Sequence, residues 1–90
     1  MKQVHLSIYG RVHGVGYRYF SQMKAIQYGI KGWVRNCDDG SVEMIAEGTI
    51  DMLKEFIEDI KKGNPFSTVD NVIVTENNNT EGFHSFKIKY

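Results

Sequence analysis

The stretch that decides the fold is KQVHLSIYGRVHGVGYR, residues 2–18. In its first half the apolar residues Val4, Leu6 and Ile8 alternate with polar or aromatic ones, and this period of two predicts a strand with one buried face. Its second half contains the segment 10–16, with three glycines in seven positions, which indicates a loop that bends sharply or that a ligand approaches closely. The stretch therefore predicts a strand, a glycine loop and the start of a helix, in that order.

Helical periodicity follows the glycine loop and returns in the second half of the chain. Phe20, Met23 and Ile26 share one face at helical spacing, and Gly29 is placed to end this first helix. Thr49 is a suitable N-cap for the second helix. The buried stripe of the second helix is predicted to be Leu53, Phe56, Ile57 and Ile60. Each helix therefore offers an apolar face for packing.

The remaining segments alternate as strands, and the turn at residues 38–40, Asp-Asp-Gly, joins two of them as a hairpin. Glu43 and Glu47 are expected on a solvated face of the strand after that turn. The predicted elements are strands at 2–10, 30–37, 42–47, 69–76 and 83–90 and helices at 17–28 and 49–62. This order predicts an α+β fold, the ferredoxin-like split β-α-β sandwich, with a mostly antiparallel sheet of four to five strands and two helices on one face.

That topology predicts where a functional site lies. The first two strands are joined by a helix and run parallel, with the third strand between them, so both end at the same sheet edge. The glycine loop, Arg18 and the end of the second strand at Asn36 are therefore expected to meet there. Small ligands of open α/β sheets bind at the carboxyl ends of strands, and we extend that rule to this fold by analogy.

Composition excludes several classes of protein. The 90 residues, 41% hydrophobic and 24% charged, predict one folded domain over residues 1–90 with no membrane-spanning segment. The alternating N-terminus does not resemble a secretory signal, and the single cysteine, Cys37, suits a reducing cytoplasm. The net charge of zero argues against a general nucleic-acid or membrane-surface binder.

The charge is nevertheless unevenly distributed along the chain. Residues 1–37 carry six bases and no acid, whereas residues 38–90 carry five bases and all 11 acids. This asymmetry is compatible with two halves that interleave and neutralise each other, or with an anion site in the first half. A glycine loop that leads into a helix N-terminus is a suitable anion site, and Arg18 would clamp a phosphate there. The alternative is a turn required by chain geometry, beside a surface arginine.

Two other glycine-loop chemistries are excluded by the letters themselves. A nucleotide-binding P-loop needs Lys-Ser or Lys-Thr after its last glycine, and the sequence has neither. A dinucleotide fingerprint needs a third glycine where Tyr19 stands, and the chain is too short for a doubly wound sheet.

Two segments resemble the signatures of one family. Residues 10–18, GRVHGVGYR, are similar to the first acylphosphatase signature, G-x-V-Q-G-V-x-[FY]-R, and residues 32–43, GWVRNCDDGSVE, are similar to the second, G-W-V-x-N-x-x-D-G-x-V-E. The resemblance covers essentially the whole chain. It implies a hydrolase that converts a carboxyl-phosphate mixed anhydride, the small-molecule substrate, into a carboxylate and inorganic phosphate.

The resemblance also implies the site residues. It places the catalytic arginine at Arg18, which grips the phosphate, and the catalytic asparagine at Asn36, which holds the attacking water. It implies a phosphate-binding loop that acts through backbone N–H groups, formed by Arg11, Val12, His13, Gly14 and Val15. We expect a cytoplasmic monomer that needs no metal and no cofactor and that binds neither nucleic acid nor membrane.

The sequence departs from the family pattern at three positions. His13 replaces the usual glutamine, Tyr17 adds a hydroxyl that needs a partner, and Cys37 stands where threonine is common. If the His13 side chain lined the site, its titration would add a pH dependence to activity. We expect at most a modest loss of activity from Cys37.

Other functions compete with this interpretation. A non-catalytic regulatory module that binds a small anion is the main alternative. An RNA-recognition motif is disfavoured because its glycine–aromatic octamer belongs on the third strand, whereas the similar residues 14–20 start a helix here. A zinc site is disfavoured because the spacing of the candidate ligands fits no known pattern. These candidates are His5, His13, His84 and Cys37.

Overall fold

The alternating N-terminal segment forms a central strand of a five-stranded sheet in a computed structural model, which describes all residues from 1 to 90. The elements in chain order are β1 (Lys2–Arg11), α1 (Tyr17–Tyr28), β2 (Lys31–Asn36), β3 (Val42–Gly48), α2 (Ile50–Lys62), β4 (Thr68–Asn77) and β5 (Phe86–Lys89). The strand order is β4-β1-β3-β2-β5, and every neighbouring pair is antiparallel except β2 with β5. The predicted ferredoxin-like architecture is confirmed.

The core lies between one face of the sheet and the two helices. Val4, Leu6 and Ile8 point into it and are at most 5% exposed, as the alternation predicts. The members of the core cluster that β2, β3, β5 and α2 contribute are Val34, Val42, Met44, Ala46, Phe86, Leu53, Phe56 and Ile60. Because this set includes most of the predicted stripe of α2, the periodicity identifies the correct face of that helix. Thr49 caps α2 through its hydroxyl, which accepts a hydrogen bond from the Met52 N–H at 3.4 Å.

Two of the three residues predicted for the buried face of α1 are exposed, whereas Phe20 is half-buried and packs against the core. Met23 and Ile26 are exposed, and α1 instead buries Tyr17, Ser21 and Ala25. Small residues at the contact let the helix backbone approach its neighbours closely, which the larger side chains would prevent. The hydroxyl of Ser21 returns a hydrogen bond to the Tyr17 carbonyl at 2.8 Å, so its burial leaves no unpaired donor.

The extra hydroxyl of Tyr17 finds a partner inside the protein. Tyr17 is 1% exposed, and its Oη donates to the Ile60 carbonyl at 2.7 Å. That carbonyl belongs to the last turn of α2, where no intrahelical donor is available. Burial raises the pKa of the Tyr17 phenol, so this donor stays protonated throughout the neutral range.

We therefore expect Tyr17→Phe to lower the free energy of unfolding by about 1–2 kcal/mol, because the Ile60 carbonyl is left buried without a donor. Urea titration measures this loss. Activity per folded molecule should remain close to that of the wild type, since the ring and its packing are kept. An unchanged unfolding midpoint would contradict the role of this hydrogen bond.

Glu47 is buried, contrary to the expectation of a solvated strand face. Its side chain is 1% exposed and accepts a hydrogen bond from Gln3 Nε2 at 2.7 Å. The same carboxylate accepts from three consecutive backbone N–H groups, those of Glu81, Gly82 and Phe83. β5 therefore begins at Phe86 and not at residue 83, because these donors turn to the carboxylate and not to a neighbouring strand. Glu43 is half-buried and bonded to His5 and Arg35.

The Glu47 carboxylate should make stability depend on pH. Burial by itself raises the pKa of Glu47, but the four donated hydrogen bonds outweigh it and hold the pKa below its usual range. A depressed folded-state pKa contributes stability above the unfolded value of about 4.3, and this contribution is lost as the pH falls through the folded value. We expect Glu47→Gln to cost about 1–3 kcal/mol at neutral pH. The difference from the wild type should shrink below about pH 4 in urea titrations, and a constant difference would contradict this role.

Candidate active site

A crevice of about 180 Å³ lies at the sheet edge where β1 and β2 end. It brings together the glycine loop, the first turn of α1, the end of β2 and the end of the chain. The lining residues are Val12, Gly14, Gly16, Tyr17, Arg18, Tyr19, Asn36, Ile88 and Tyr90. The expected meeting of Arg18, Asn36 and the loop at one edge is therefore observed.

The loop between β1 and α1 presents a row of backbone donors. None of the N–H groups from Val12 to Tyr19 donates a hydrogen bond within the protein, and the first that does is Phe20, to the Gly16 carbonyl. Gly14 and Gly16 adopt left-handed φ angles of 69° and 72°, which side-chain-bearing residues rarely adopt. Gly16 is also the N-cap of α1 and has no side chain to occupy these donors. The unpaired N–H groups of the loop and the helix dipole together are suited to bind an anion.

The loop is fixed from both sides by side chains. Val12 is 2% exposed and packs in the core. His13 Nε2 lies 2.7 Å from the carbonyl oxygen of Ser41, which makes Nε2 the protonated donor of this bond. On the other side, Asn64 Nδ2 donates to the Val15 carbonyl at 2.8 Å.

The His13 side chain does not line the crevice, so the condition stated above for a pH dependence of activity is not met. Its ring is half-buried against the β2–β3 turn and does not line the crevice. Because Nε2 donates in both the neutral and the protonated ring, protonation of His13 keeps this bond. His13 therefore supplies a side-chain donor that ties the loop to the turn.

Arg18 projects into the crevice from the first turn of α1. Its Nη1 donates to the Lys89 carbonyl at 3.1 Å, and its Cζ lies 4.8 Å from the centre of the Tyr90 ring. No carboxylate forms an ion pair with Arg18. The guanidinium is therefore oriented by a carbonyl and an aromatic face while its charge remains available to an anion.

Asn36 carries an unusual feature. It is the last residue of β2, and its Oδ1 is buried without a hydrogen-bond partner in the protein. Buried side-chain oxygens are nearly always bonded, and leaving one unpaired costs about 1–3 kcal/mol. An oxygen in this state, in the same crevice as Arg18, is suited to accept a hydrogen bond from a water molecule.

Not every residue of the predicted loop lines the crevice. Arg11 is the last residue of β1, pairs with Thr68, and has an exposed side chain outside the crevice. Val15 does not line the crevice either: its side chain packs against the core, and its carbonyl accepts the hydrogen bond from Asn64.

The crevice residues that sequence reasoning missed are Tyr19, Ile88 and Tyr90. Ile88 and Tyr90 enter because β5 lies parallel beside β2. No pattern in the sequence indicates that β5 lies next to β2.

Arg18 is the only charged side chain among the residues that line the crevice. The crevice has no acidic lining residue. Hydrogen bonds from the Ser41 side chain and backbone hold the pKa of Asp39 below its usual range, at the β2–β3 turn. Arg35 is neutralised by Glu43 at 2.5 Å, away from the crevice. Arg18 therefore supplies the positive charge in the crevice.

No three side chains among histidine, cysteine, aspartate and glutamate cluster in a way that would hold a metal ion. Neither helix has the length and apolar character needed to cross a bilayer.

Comparison with known proteins gives consistent matches over the whole chain. A family model described as acylphosphatase matches residues 4–88. A curated protein named acylphosphatase, from Bacillus licheniformis, is 50% identical over 90 residues, covering 100% of both chains.

Solved structures match as closely. A crystal structure of acylphosphatase from Bacillus subtilis superimposes with a TM-score of 0.98 at 49% identity, covering 100% of both chains. A structure of an acylphosphatase from Coxiella burnetii gives a TM-score of 0.93 at 31% identity, covering 98% of this chain and 92% of the other.

Proposed function

This chain belongs to the acylphosphatase family, and on that premise we propose that it hydrolyses carboxyl-phosphate mixed anhydrides to a carboxylate and inorganic phosphate. Arg18 and the backbone N–H groups of the 11–15 loop bind the phosphate in this proposal, and Asn36 orients the attacking water. Arg11 belongs to this loop through its backbone alone, since its side chain lies outside the crevice.

The observation that carries the proposal is the buried, unpartnered Oδ1 of Asn36 in the crevice that also holds Arg18. An acceptor of this kind orders a water molecule by accepting a hydrogen bond from it. The water oxygen is then directed at a phosphorus atom whose oxygens are held by Arg18 and the loop. Positioning of this kind removes much of the entropic part of the barrier.

The proposed hydrolysis needs only a few functional groups from the protein. Phosphoryl transfer through a loose transition state needs charge stabilisation and alignment more than covalent chemistry. The water oxygen forms a bond to phosphorus as the bond from phosphorus to the acyl oxygen breaks. The carboxylate departs with the bonding electrons, and a phosphate oxygen accepts the proton of the water. Because a carboxylate is a good leaving group, the proposal requires no general acid, metal or cofactor.

The test is hydrolysis of benzoyl phosphate by the wild-type protein with EDTA present. We expect rapid turnover above the uncatalysed rate, unaffected by the chelator. Folded protein that binds inorganic phosphate but shows no turnover would support the alternative, a non-catalytic anion-binding module on the same fold.

We further propose that residues 1–90 act as one domain, as a monomer in the cytoplasm. The family match over residues 4–88 supports one functional unit. The single free cysteine, half-buried, suits a reducing compartment. The zero net charge gives no basis for binding nucleic acid or a membrane surface. Light scattering at micromolar concentration tests the monomer directly.

A further inference from the structure

The phosphate-binding loop cannot fix its own shape. Its N–H groups from Val12 to Gly16 donate no hydrogen bond inside the protein, so the ladder that stiffens a helix or strand is missing there. Backbone segments with few internal bonds open readily. Contacts from elsewhere in the chain must therefore set the direction in which these donors point.

Asn64 supplies one such contact from a remote part of the sequence. Its Nδ2 donates to the Val15 carbonyl at 2.8 Å, across 49 residues of chain. The opposite side of the same amide is also bonded, because Oδ1 accepts from the Phe66 N–H at 3.3 Å. Both bonds require the same orientation of the amide, with nitrogen towards the loop.

The turn that carries Asn64 is itself held firmly. The Asn64 N–H donates to Ser67 Oγ at 2.9 Å, and the Ser67 hydroxyl donates to the Asn64 carbonyl at 3.1 Å. Gly63 anchors the start of the turn to α2 through a bond to the Asp59 carbonyl at 3.1 Å. These bonds therefore hold the Asn64 side chain in a fixed position beside the loop.

Fixing the Val15 carbonyl has a geometric consequence for the crevice. In a trans peptide the C=O of one residue and the N–H of the next lie in one plane and point in opposite directions. The Val15 carbonyl points to Asn64, so the Gly16 N–H points away from it. Gly16 lines the crevice. The hydrogen bond from Asn64 therefore orients the Gly16 N–H towards the crevice.

We propose that Asn64 is a positioning residue that holds the Val15–Gly16 peptide in the orientation that binds phosphate. The inference rests on the proposed function, in which the 11–15 loop binds the phosphate, and it adds the N–H of Gly16, a crevice residue, to those donors. It predicts an effect on phosphate affinity and turnover beyond any effect on stability. Asn64 touches the loop and does not line the crevice itself.

Three variants test this role. Asn64→Ala removes the donor, whereas Asn64→Asp keeps the size and the acceptor for Phe66 but removes the donor. Asn78→Ala removes an exposed asparagine from the segment between β4 and β5, so it is the matched control. For each variant we would measure the inhibition constant of inorganic phosphate, kcat and KM for benzoyl phosphate, and urea unfolding.

Both Asn64 variants should raise the inhibition constant of phosphate about fivefold to tenfold, the effect of one lost hydrogen bond. They should lower kcat/KM on the order of tenfold to a hundredfold, because a slightly misdirected donor affects the transition state more than the ground state. In a phosphate titration followed by NMR, the Gly16 amide signal should saturate at higher phosphate concentration. Asn78→Ala should keep wild-type phosphate affinity and turnover.

Other outcomes would overturn the inference. Folded Asn64 variants with wild-type phosphate affinity would exclude the positioning role. An effect in Asn64→Asp without one in Asn64→Ala would assign the loss to charge repulsion and equally contradict it. A wild-type protein that binds phosphate but hydrolyses nothing would contradict the proposed function alone, since the effect of Asn64 on phosphate binding would still be measurable.

Discussion

Arg18→Ala is expected to lose both turnover and measurable binding of inorganic phosphate. The guanidinium is the crevice's own cation and has no carboxylate partner, so its removal takes away the charge that attracts the anion. Arginines that stabilise a phosphoryl transition state contribute about 10³ to 10⁵ in rate. We therefore expect kcat/KM for benzoyl phosphate to fall at least a thousandfold. Arg18→Lys should recover part of the binding, because a point charge attracts the anion but cannot bind two oxygens at once.

Arg35→Ala is the matched control for the loss of an arginine. Arg35 lies one residue before Asn36 in the same strand, but it pairs with Glu43 and does not line the crevice. It should therefore keep phosphate affinity and turnover close to wild type. If Arg35→Ala and Arg18→Ala lowered phosphate affinity equally, the effect would be one of overall charge and the proposed clamp would be wrong. The folded state of each variant is checked by its urea midpoint.

Sequence reasoning reached the position of the site because the signals there are local. The glycines of the loop predict left-handed backbone, which Gly14 and Gly16 adopt. The helix after β1 makes β1 and β2 parallel, and this topology alone brings Arg18 and Asn36 to one edge. Both inferences use only local sequence and the rule that gives the relative direction of two strands joined by a helix.

Features that depend on tertiary partners were not accessible in this way. Glu47 alternates like a surface residue, yet it is buried because a distant loop turns three backbone donors towards it. The bond from Asn64 to Val15 joins two loops that no periodicity connects. α1 packs through Ser21 and Ala25, which apolar periodicity does not count.

The placement of β5 beside β2 shows the same limit. It brings the Lys89 carbonyl and the Tyr90 ring to the Arg18 guanidinium. The sequence predicts an additional strand but does not state which edge of the sheet it joins. Arg18 could therefore be proposed as a phosphate-binding residue from the glycine loop beside it, whereas the groups that orient it could not be predicted.

Asn36→Ala should separate turnover from binding. If Asn36 orders the attacking water, its interaction is made with the nucleophile and not with the phosphate, so kcat falls while phosphate affinity survives. Losing one preorganised amide at a reacting centre costs on the order of 10² to 10³ in kcat. We expect a loss of that size, with an inhibition constant for inorganic phosphate within about twofold of wild type.

Stability provides an independent check on the same variant. Because Asn36 Oδ1 is buried without a partner in the protein, removing it relieves an unfavourable burial. Asn36→Ala should therefore unfold at an unchanged or higher urea concentration while being far less active, a combination typical of residues kept for function. Asn79→Ala, in the β4–β5 loop, is the control and should keep wild-type kcat. Equal losses of phosphate affinity in Asn36→Ala and Arg18→Ala would overturn the division between a clamp and a water-positioning group, because both side chains would then be binding the anion itself.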